Sequence, residues 1–309
     1  IGEHGTDKSA QILIFLLIIE VLLFIELKNL PPKILSKILI LMGLIISLKA
    51  FYVLYSIIIF ILFYEVIKRK KFYESIKFFI GNGYFIPFFL FFLLVIFNYF
   101  VNTGCLIYPV SFTCFENFSW SISKLEVNEV NNWYELWSKA GAGPNHRVNN
   151  PLEYISYFNW VNNWIDKYFF NKVSDFLLGL LLLVVIVIII FYSKKKKRIQ
   201  LPNLKFLFLV LLLLLFEWFY NHPALRYGGY AVIISLTFLT LSIRLNKYQI
   251  HIESIKKKFK ILMLITIIVF LGRNINRIHN EITVYNYKPI IDVNYNVEES
   301  YFKIPYLIN

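Results

Sequence analysis

The stretch "FYNHPALRYGGY", residues 219–230, puts His222, Arg226 and Tyr227 between two apolar runs. A turn needs only the proline and the glycines, so the arginine and histidine call for another reason. Arg226 carries a permanent charge on a planar fork of donors that suits phosphate. Gly228 and Gly229 let the backbone turn into the next helix. The N-terminus of that helix offers unpaired N–H groups and a partial positive charge. His222 and Tyr227 add hydrogen-bonding capacity, and Lys49 in "SLKAF" supplies a second cation near the same membrane face. Together these residues have the chemistry to bind a phosphate or pyrophosphate at lipid headgroup level. The same residues also suit a plainer role as interfacial anchors around a turn, with Lys49 snorkelling to the surface.

Carboxylates are the second resource. "EHGTD", residues 3–7, holds Glu3 and Asp7, candidates for acid–base chemistry, with helix capping as the alternative. Glu20 falls near the middle of the first apolar run, where an ionisable group pairs or lines a cavity. Glu217 lies five residues before His222 and is expected to orient it or to pair with Arg226. The five histidines are scattered and lack the short paired spacing of a metal site. No cofactor is visible, and nothing in the sequence supports a divalent cation.

The elements that must hold these groups are helices in a bilayer. The chain is 58% hydrophobic with a mean hydropathy of +0.60. Apolar runs recur at roughly the 18–20 residues that cross a ~30 Å hydrocarbon core. The expected fold class is therefore all-α, a polytopic transmembrane helical bundle. Eight spans are read, at about 10–27, 34–48, 50–67, 84–101, 173–192, 203–220, 228–243 and 260–272. The second and third meet at "SLKAF" almost without a loop, as in a tight or partly re-entrant hairpin. The expected organisation is a bundle over residues 1–272, with an outer loop at 102–172 inserted, and an outer tail at 273–309. The chain begins with Ile1, and "IGEHGTDKS" lacks the marks of a signal peptide, so further N-terminal spans are expected upstream.

The net charge of +13 follows from topology and needs no nucleic acid. Of the 32 Lys and Arg residues, 20 fall in the short loops 28–37, 65–77, 193–205 and 244–260. That bias puts those loops in the cytoplasm and the loop 102–172 and both visible ends outside. The composition, rich in Ile, Lys, Asn, Phe and Tyr, fits an AT-rich bacterial genome. The expected location is the bacterial inner membrane, with the large loop periplasmic. Cys105 and Cys114 both fall at the start of that loop, where an oxidising compartment allows a disulfide; two unrelated buried thiols are the alternative.

Five of the six tryptophans lie in the outer loop. Val130, Trp133, Tyr134 and Trp137 fall at helical spacing, with Gly141 as a stop. A second apolar stripe runs through residues 155–169, with Trp160 and Trp164 beside it. Two interfacial amphipathic helices satisfy this pattern. A sharper reading adds glycan or lipid contact by Trp133, Trp137, Trp160 and Trp164. His146 and Arg147, in the polar turn "GAGPNHRVNNP", are candidates to touch an acceptor or a phosphate, or simply belong to a solvated loop.

With Arg226-Tyr227 at the outer start of a late helix and aromatic helices in an outer loop, the chain resembles polytopic glycosyltransferases of the GT-C class. It is similar also to related membrane proteins of bacterial surface-polysaccharide clusters. The resemblance covers the layout of most of the chain, on short motifs. It implies a polyprenyl-phosphate-linked sugar donor, with catalysis at the periplasmic face. Members usually carry a catalytic carboxylate in the first outer loop, which is not assignable here, so Glu3 and Asp7 are candidates only. The expected partners are membrane lipid and a lipid-linked sugar or glycan. Two other classes compete. One is an O-antigen polymerase or ligase, which also meets a lipid-pyrophosphate glycan with Arg and His. The other is a non-enzymatic transporter or flippase, with Glu20 as coupling charge.

Overall fold

The computed structural model describes residues 3–27, 32–69, 72–81, 83, 85–141, 148, 150–195, 204–248 and 252–285. Among the described residues the secondary structure is helical, with one isolated bridge between Cys105 and Cys114. The chain divides into two compact units. The first comprises Ile1–Val185 and Lys197–Lys247, and the second Ile186–Lys196 and Tyr248–Asn309.

The first unit opens with α1 (Glu3–Glu26) and α2 (Pro32–Leu48), which pack along each other. Apolar residues surround α1, so one stripe is buried in protein while the rest, such as Ile12 and Leu16, stays exposed. The buried stripe runs Ala10, Ile14, Leu17, Ile18, Val21, Ile25, the 3.6-residue period of one helix face. Lys49 then adopts an extended conformation and breaks the helix. A 3₁₀ stretch, Ala50–Ile57, leads into α3 (Ile58–Arg69), so the close hairpin expected at "SLKAF" is a helix, one extended residue and a 3₁₀ turn. α4 (Phe72–Ile80) and α5 (Phe85–Thr103) follow, and α5 lies against α2.

The loop after α5 is pinned by a disulfide between Cys105 and Cys114. α6 (Lys124–Lys139) starts at Ser123, whose hydroxyl accepts from the Glu126 N–H at 3.2 Å, a satisfied N-cap. α7 (Pro151–Ile155) and α8 (Val161–Trp164) lead through a π-helical stretch, Ile165–Val173, into α9 (Ser174–Phe191). α10 (Lys205–Asn221) and α11 (Gly229–Leu245) close the unit as an antiparallel pair around the opening turn.

The second unit holds the end of α9 and the long helix α12 (Ile252–Tyr285). There the Tyr192 ring meets Tyr248 at 5.5 Å, and Lys258 Nζ donates to the Tyr192 carbonyl at 3.2 Å. α12 runs on past residue 272, so the tail expected from 273 begins as a continuing helix.

Among the described residues five segments are long and apolar enough to cross a membrane: Asp7–Glu26, Phe51–Arg69, Phe85–Thr103, Val161–Phe191 and Glu253–Asn280. The other three runs read as spans form α2, α10 and α11, of 17 residues each. At 1.5 Å per residue such a helix reaches about 25 Å, a little short of a ~30 Å core. A multi-pass bundle is compatible with this set of helices.

Candidate functional site

Next to α6 and the Cys105–Cys114 loop, the chain from His222 to Gly228 turns without regular structure, apart from one 3₁₀ turn at Leu225–Tyr227. Buried backbone polar groups must find partners, and here four elements, α10, α6, the π-helical stretch and α1, supply them. The His222 N–H donates to the Trp218 carbonyl at 2.9 Å. The Ala224 N–H donates to Ser138 Oγ of α6 at 2.9 Å, and Trp218 Nε1 donates to the Ala224 carbonyl at 2.9 Å. The Leu225 N–H donates to Tyr168 Oη at 2.9 Å, and Gln11 Nε2 of α1 donates to the Arg226 carbonyl at 2.9 Å. Gly228 takes φ +108°, a left-handed conformation open to glycine. Gly229 has no room for a side chain, since a Cβ there would lie 2.4 Å from the Trp218 ring.

This fixed turn presents Arg226 to α1 and to the 3₁₀ stretch. Lys49 Nζ donates to Asp7 Oδ1, and Arg226 Nε lies 3.5 Å from Asp7 Oδ2. One buried carboxylate thus holds two cations, leaving a net charge of about +1 on the cluster. The Arg226 guanidinium stands 4.9 Å from the Trp137 ring centre and 5.2 Å from that of Tyr227. Lys49 Nζ stands 5.2 Å from the Tyr227 ring. Among the described residues the Arg226 guanidinium donates no hydrogen bond to protein, and its Nε is buried without one.

Lys49, His222, Arg226 and Tyr227 line one cavity of about 520 Å³. Its remaining walls come from Phe51, Val53 and Leu54 of the 3₁₀ stretch and from the disulfide loop, through Ile107–Val110. Tyr99 of α5 and Asn131 and Tyr134 of α6 complete it. The His222 ring is wedged edge-on against Phe51 at 5.2 Å and Tyr227 at 5.8 Å. Burial, with the charge of Lys139 second, pushes its pKa down to about 4. His222 is therefore neutral at pH 7 and does not add a third cation. Its Nδ1 is buried and has no hydrogen-bond partner among the described residues.

Several sequence expectations change. Asp7 is buried beneath the two cations, and both of its oxygens face them, so it positions the cluster and does not line the cavity. Glu217 pairs with neither Arg226 nor His222; its Oε1 accepts from Asn221 Nδ2 at 3.1 Å, one turn along the same helix. Glu20 meets one of its two expected outcomes, an interhelical pair with Lys37 Nζ at 3.5 Å. Trp160 and Trp164 do not offer ring faces to a glycan. They are buried against each other and Phe219 at 5.2–6.0 Å, in the cluster that seats the loop on α10. Trp133 is exposed, and Trp137 is half-buried beside Arg226. The side chain of Glu3, and all of His146 and Arg147, lie outside the described residues. Among the described residues no group of three His, Cys, Asp or Glu is placed to hold a metal.

Sequence reading missed Gln11, Ser138, Tyr168 and Lys139. Gln11 follows Asp7 by one helical turn and so shares its face, a signal available in advance. Lys139 is fully buried, donates to the Ile155 carbonyl at 2.8 Å, and stands 5.1 Å from the Tyr220 ring. Nothing in the composition of α6 marks it as buried.

The model of a family described as a domain of unknown function, DUF8201, matches residues 4–234, a stretch that contains the whole cavity. No curated protein matches the chain. No solved structure matches it either.

Proposed function

We propose that this chain, which belongs to the DUF8201 family, is a multi-pass membrane protein of cell-envelope glycan assembly that transfers a sugar from a polyprenyl-phosphate-linked donor. The observation that carries the reading is the pairing of Arg226, its guanidinium donors unspent, with Lys49 at the edge of a 520 Å³ cavity. Two cations held by one carboxylate favour an anion, and a preorganised pair costs little reorganisation when charge develops on a departing phosphate. The bias of basic residues toward the opposite loops and the disulfide near the cavity support an external, periplasmic site. In this reading α2, α10 and α11 count as short spans, giving eight in all.

In the transfer, the bond between the sugar carbon and the donor phosphate oxygen breaks, and a bond to the acceptor oxygen forms. The electron pair leaves with the phosphate, facing Arg226 and Lys49. The acceptor hydroxyl must lose a proton. It passes to the departing phosphate, since the oxygens of Asp7 are engaged by the cations and His222, buried beside Lys139, resists protonation.

The test is transfer of a labelled sugar from a polyprenyl-phosphate donor in membranes of cells expressing the full-length protein. Loss of an electrostatic stabiliser typically costs about 10²–10³ in rate, so Arg226→Ala should lower transfer by that order while the protein remains inserted. Undiminished transfer by the inserted variant would sink the proposal. So would movement of the intact donor across the bilayer without bond cleavage, which is the signature of a flippase.

A further inference from the structure

We infer that the wall formed by Tyr99, Tyr108, Asn131 and Tyr134 is a sugar-binding subsite, so that the cavity takes a phosphorylated sugar as one unit. The inference rests on the phosphate reading above and adds which part of the ligand meets which wall.

Lys49 and Arg226 are the charged residues of the lining, and His222 is neutral. A phosphate held by the two cations fills only a fraction of about 520 Å³. Small-molecule sites run at roughly 300–1,000 Å³, so the space fits a larger ligand with one anionic end. The character of the remaining wall decides what the rest of that ligand is. Tyr99 and Tyr108 come from different elements and stack with ring centres 6.4 Å apart and planes at 29°. Asn131 and Tyr134 are three residues apart on α6, on one face of the helix. Phenol hydroxyls and a carboxamide both donate and accept hydrogen bonds, and aromatic faces accept apolar C–H surface. A sugar ring presents both hydroxyl edges and C–H faces. An isoprenoid chain would use Val53, Leu54 and Val110 but would leave Asn131 without a purpose.

The wall is also held stiffly, as a recognition surface needs to be. The disulfide closes residues 105–114. Within that loop Thr113 Oγ1 donates to the Ile107 carbonyl at 2.9 Å and accepts from the Ile107 N–H at 3.1 Å. Tyr108 is therefore presented from a loop braced on both sides. This places sugar contact at tyrosines and an asparagine beside the cations, and not at Trp160 and Trp164, which are buried elsewhere.

The experiment compares three probes on the purified full chain in nanodiscs by titration calorimetry. They are inorganic phosphate, a panel of hexose 1-phosphates (glucose, galactose and N-acetylglucosamine) and geranyl phosphate. At least one hexose 1-phosphate is expected to bind about fivefold tighter than inorganic phosphate, the order of one or two added hydrogen bonds. The double change Tyr108→Ala, Asn131→Ala should erase that advantage and leave inorganic phosphate affinity unchanged. If the double variant binds no phosphate, Asn131→Ala alone carries the test, with partial loss expected. Equal binding of phosphate and every hexose 1-phosphate would overturn the subsite while leaving the phosphate site standing. A gain shown by geranyl phosphate alone, or a sugar advantage that survives Asn131→Ala undiminished, would also overturn it. Failure of all three probes to bind would instead remove the phosphate reading itself.

Discussion

Both ends of α1 meet an arginine paired with a carboxylate, and the two arginines are used differently. Arg69 donates to the carbonyls of Leu27 and Ile25, the latter at 2.6 Å, and to Glu65 Oε2 at 3.1 Å. It satisfies carbonyls that the end of the helix leaves without partners, and its charge suits that C-terminus. Arg226 has a 3.5 Å ion pair with Asp7, two aromatic neighbours and no hydrogen bond from its guanidinium to protein among the described residues. It also borders a cavity. The first arginine is consumed by the fold, whereas the fold holds the second in place and leaves its donors for something else. Burial and charge alone would not separate the two; the count of satisfied donors does.

The largest expected effect falls at the consumed arginine. Arg69→Ala leaves Glu65 buried and unpaired and two carbonyls without donors, a loss of about 3–5 kcal/mol, read as a lowered unfolding midpoint in detergent. Phosphate affinity of the protein that remains folded should not change. A midpoint within error of the wild type would break the contrast from that side.

Acid should act at the Arg226 end. The pKa of His222 is about 4 in the folded protein against an ordinary 6.5. Between those values the unfolded chain binds a proton that the folded chain refuses, so stability is full above pH 6.5 and is lost as pH falls toward 4. At 1.36 kcal/mol per unit the limit is about 3 kcal/mol. Unfolding midpoints at pH 7 and pH 4.5 should therefore converge in His222→Gln relative to the wild type. Equal acid sensitivity in both proteins would mean that His222 is not held neutral.

A smaller effect should follow from crowding the turn. Gly229→Ala drives a methyl into the Trp218 ring, which holds the Ala224 carbonyl. Overpacking of this kind costs about 1–3 kcal/mol. It should also weaken phosphate binding, because the turn that presents Arg226 must shift. Loss of stability with binding unaltered would show that Arg226 does not depend on that turn.

Sequence reading went furthest where membrane physics constrains the chain. Hydropathy alone implies helices, and Lys49, His222, Arg226 and Tyr227, grouped from the sequence as one candidate anion site, do line one cavity. Cys105 and Cys114, close in sequence at the start of one loop, are joined in the structure. Less was legible where an outcome depends on packing between distant segments. Trp133 and Trp160 belong to similar aromatic helical patterns, yet one is exposed and the other is core, because only Trp160 faces α10. The carboxylate at Asp7 reads equally as a cap or a catalytic group until Lys49, 42 residues away, is seen on one of its oxygens. Ser138 and Tyr168 hold the turn from 86 and 57 residues away, a pairing that no local pattern encodes.

The most direct test of the contrast is phosphate titration of wild type, Arg226→Ala and Arg69→Ala side by side, with an unfolding midpoint for each. Removing a charged hydrogen-bond donor is worth about 1.5–3 kcal/mol, so Arg226→Ala should weaken binding roughly ten- to hundredfold with its midpoint little changed, and Arg69→Ala should do the reverse. Unchanged phosphate affinity in a folded Arg226→Ala protein would contradict the account.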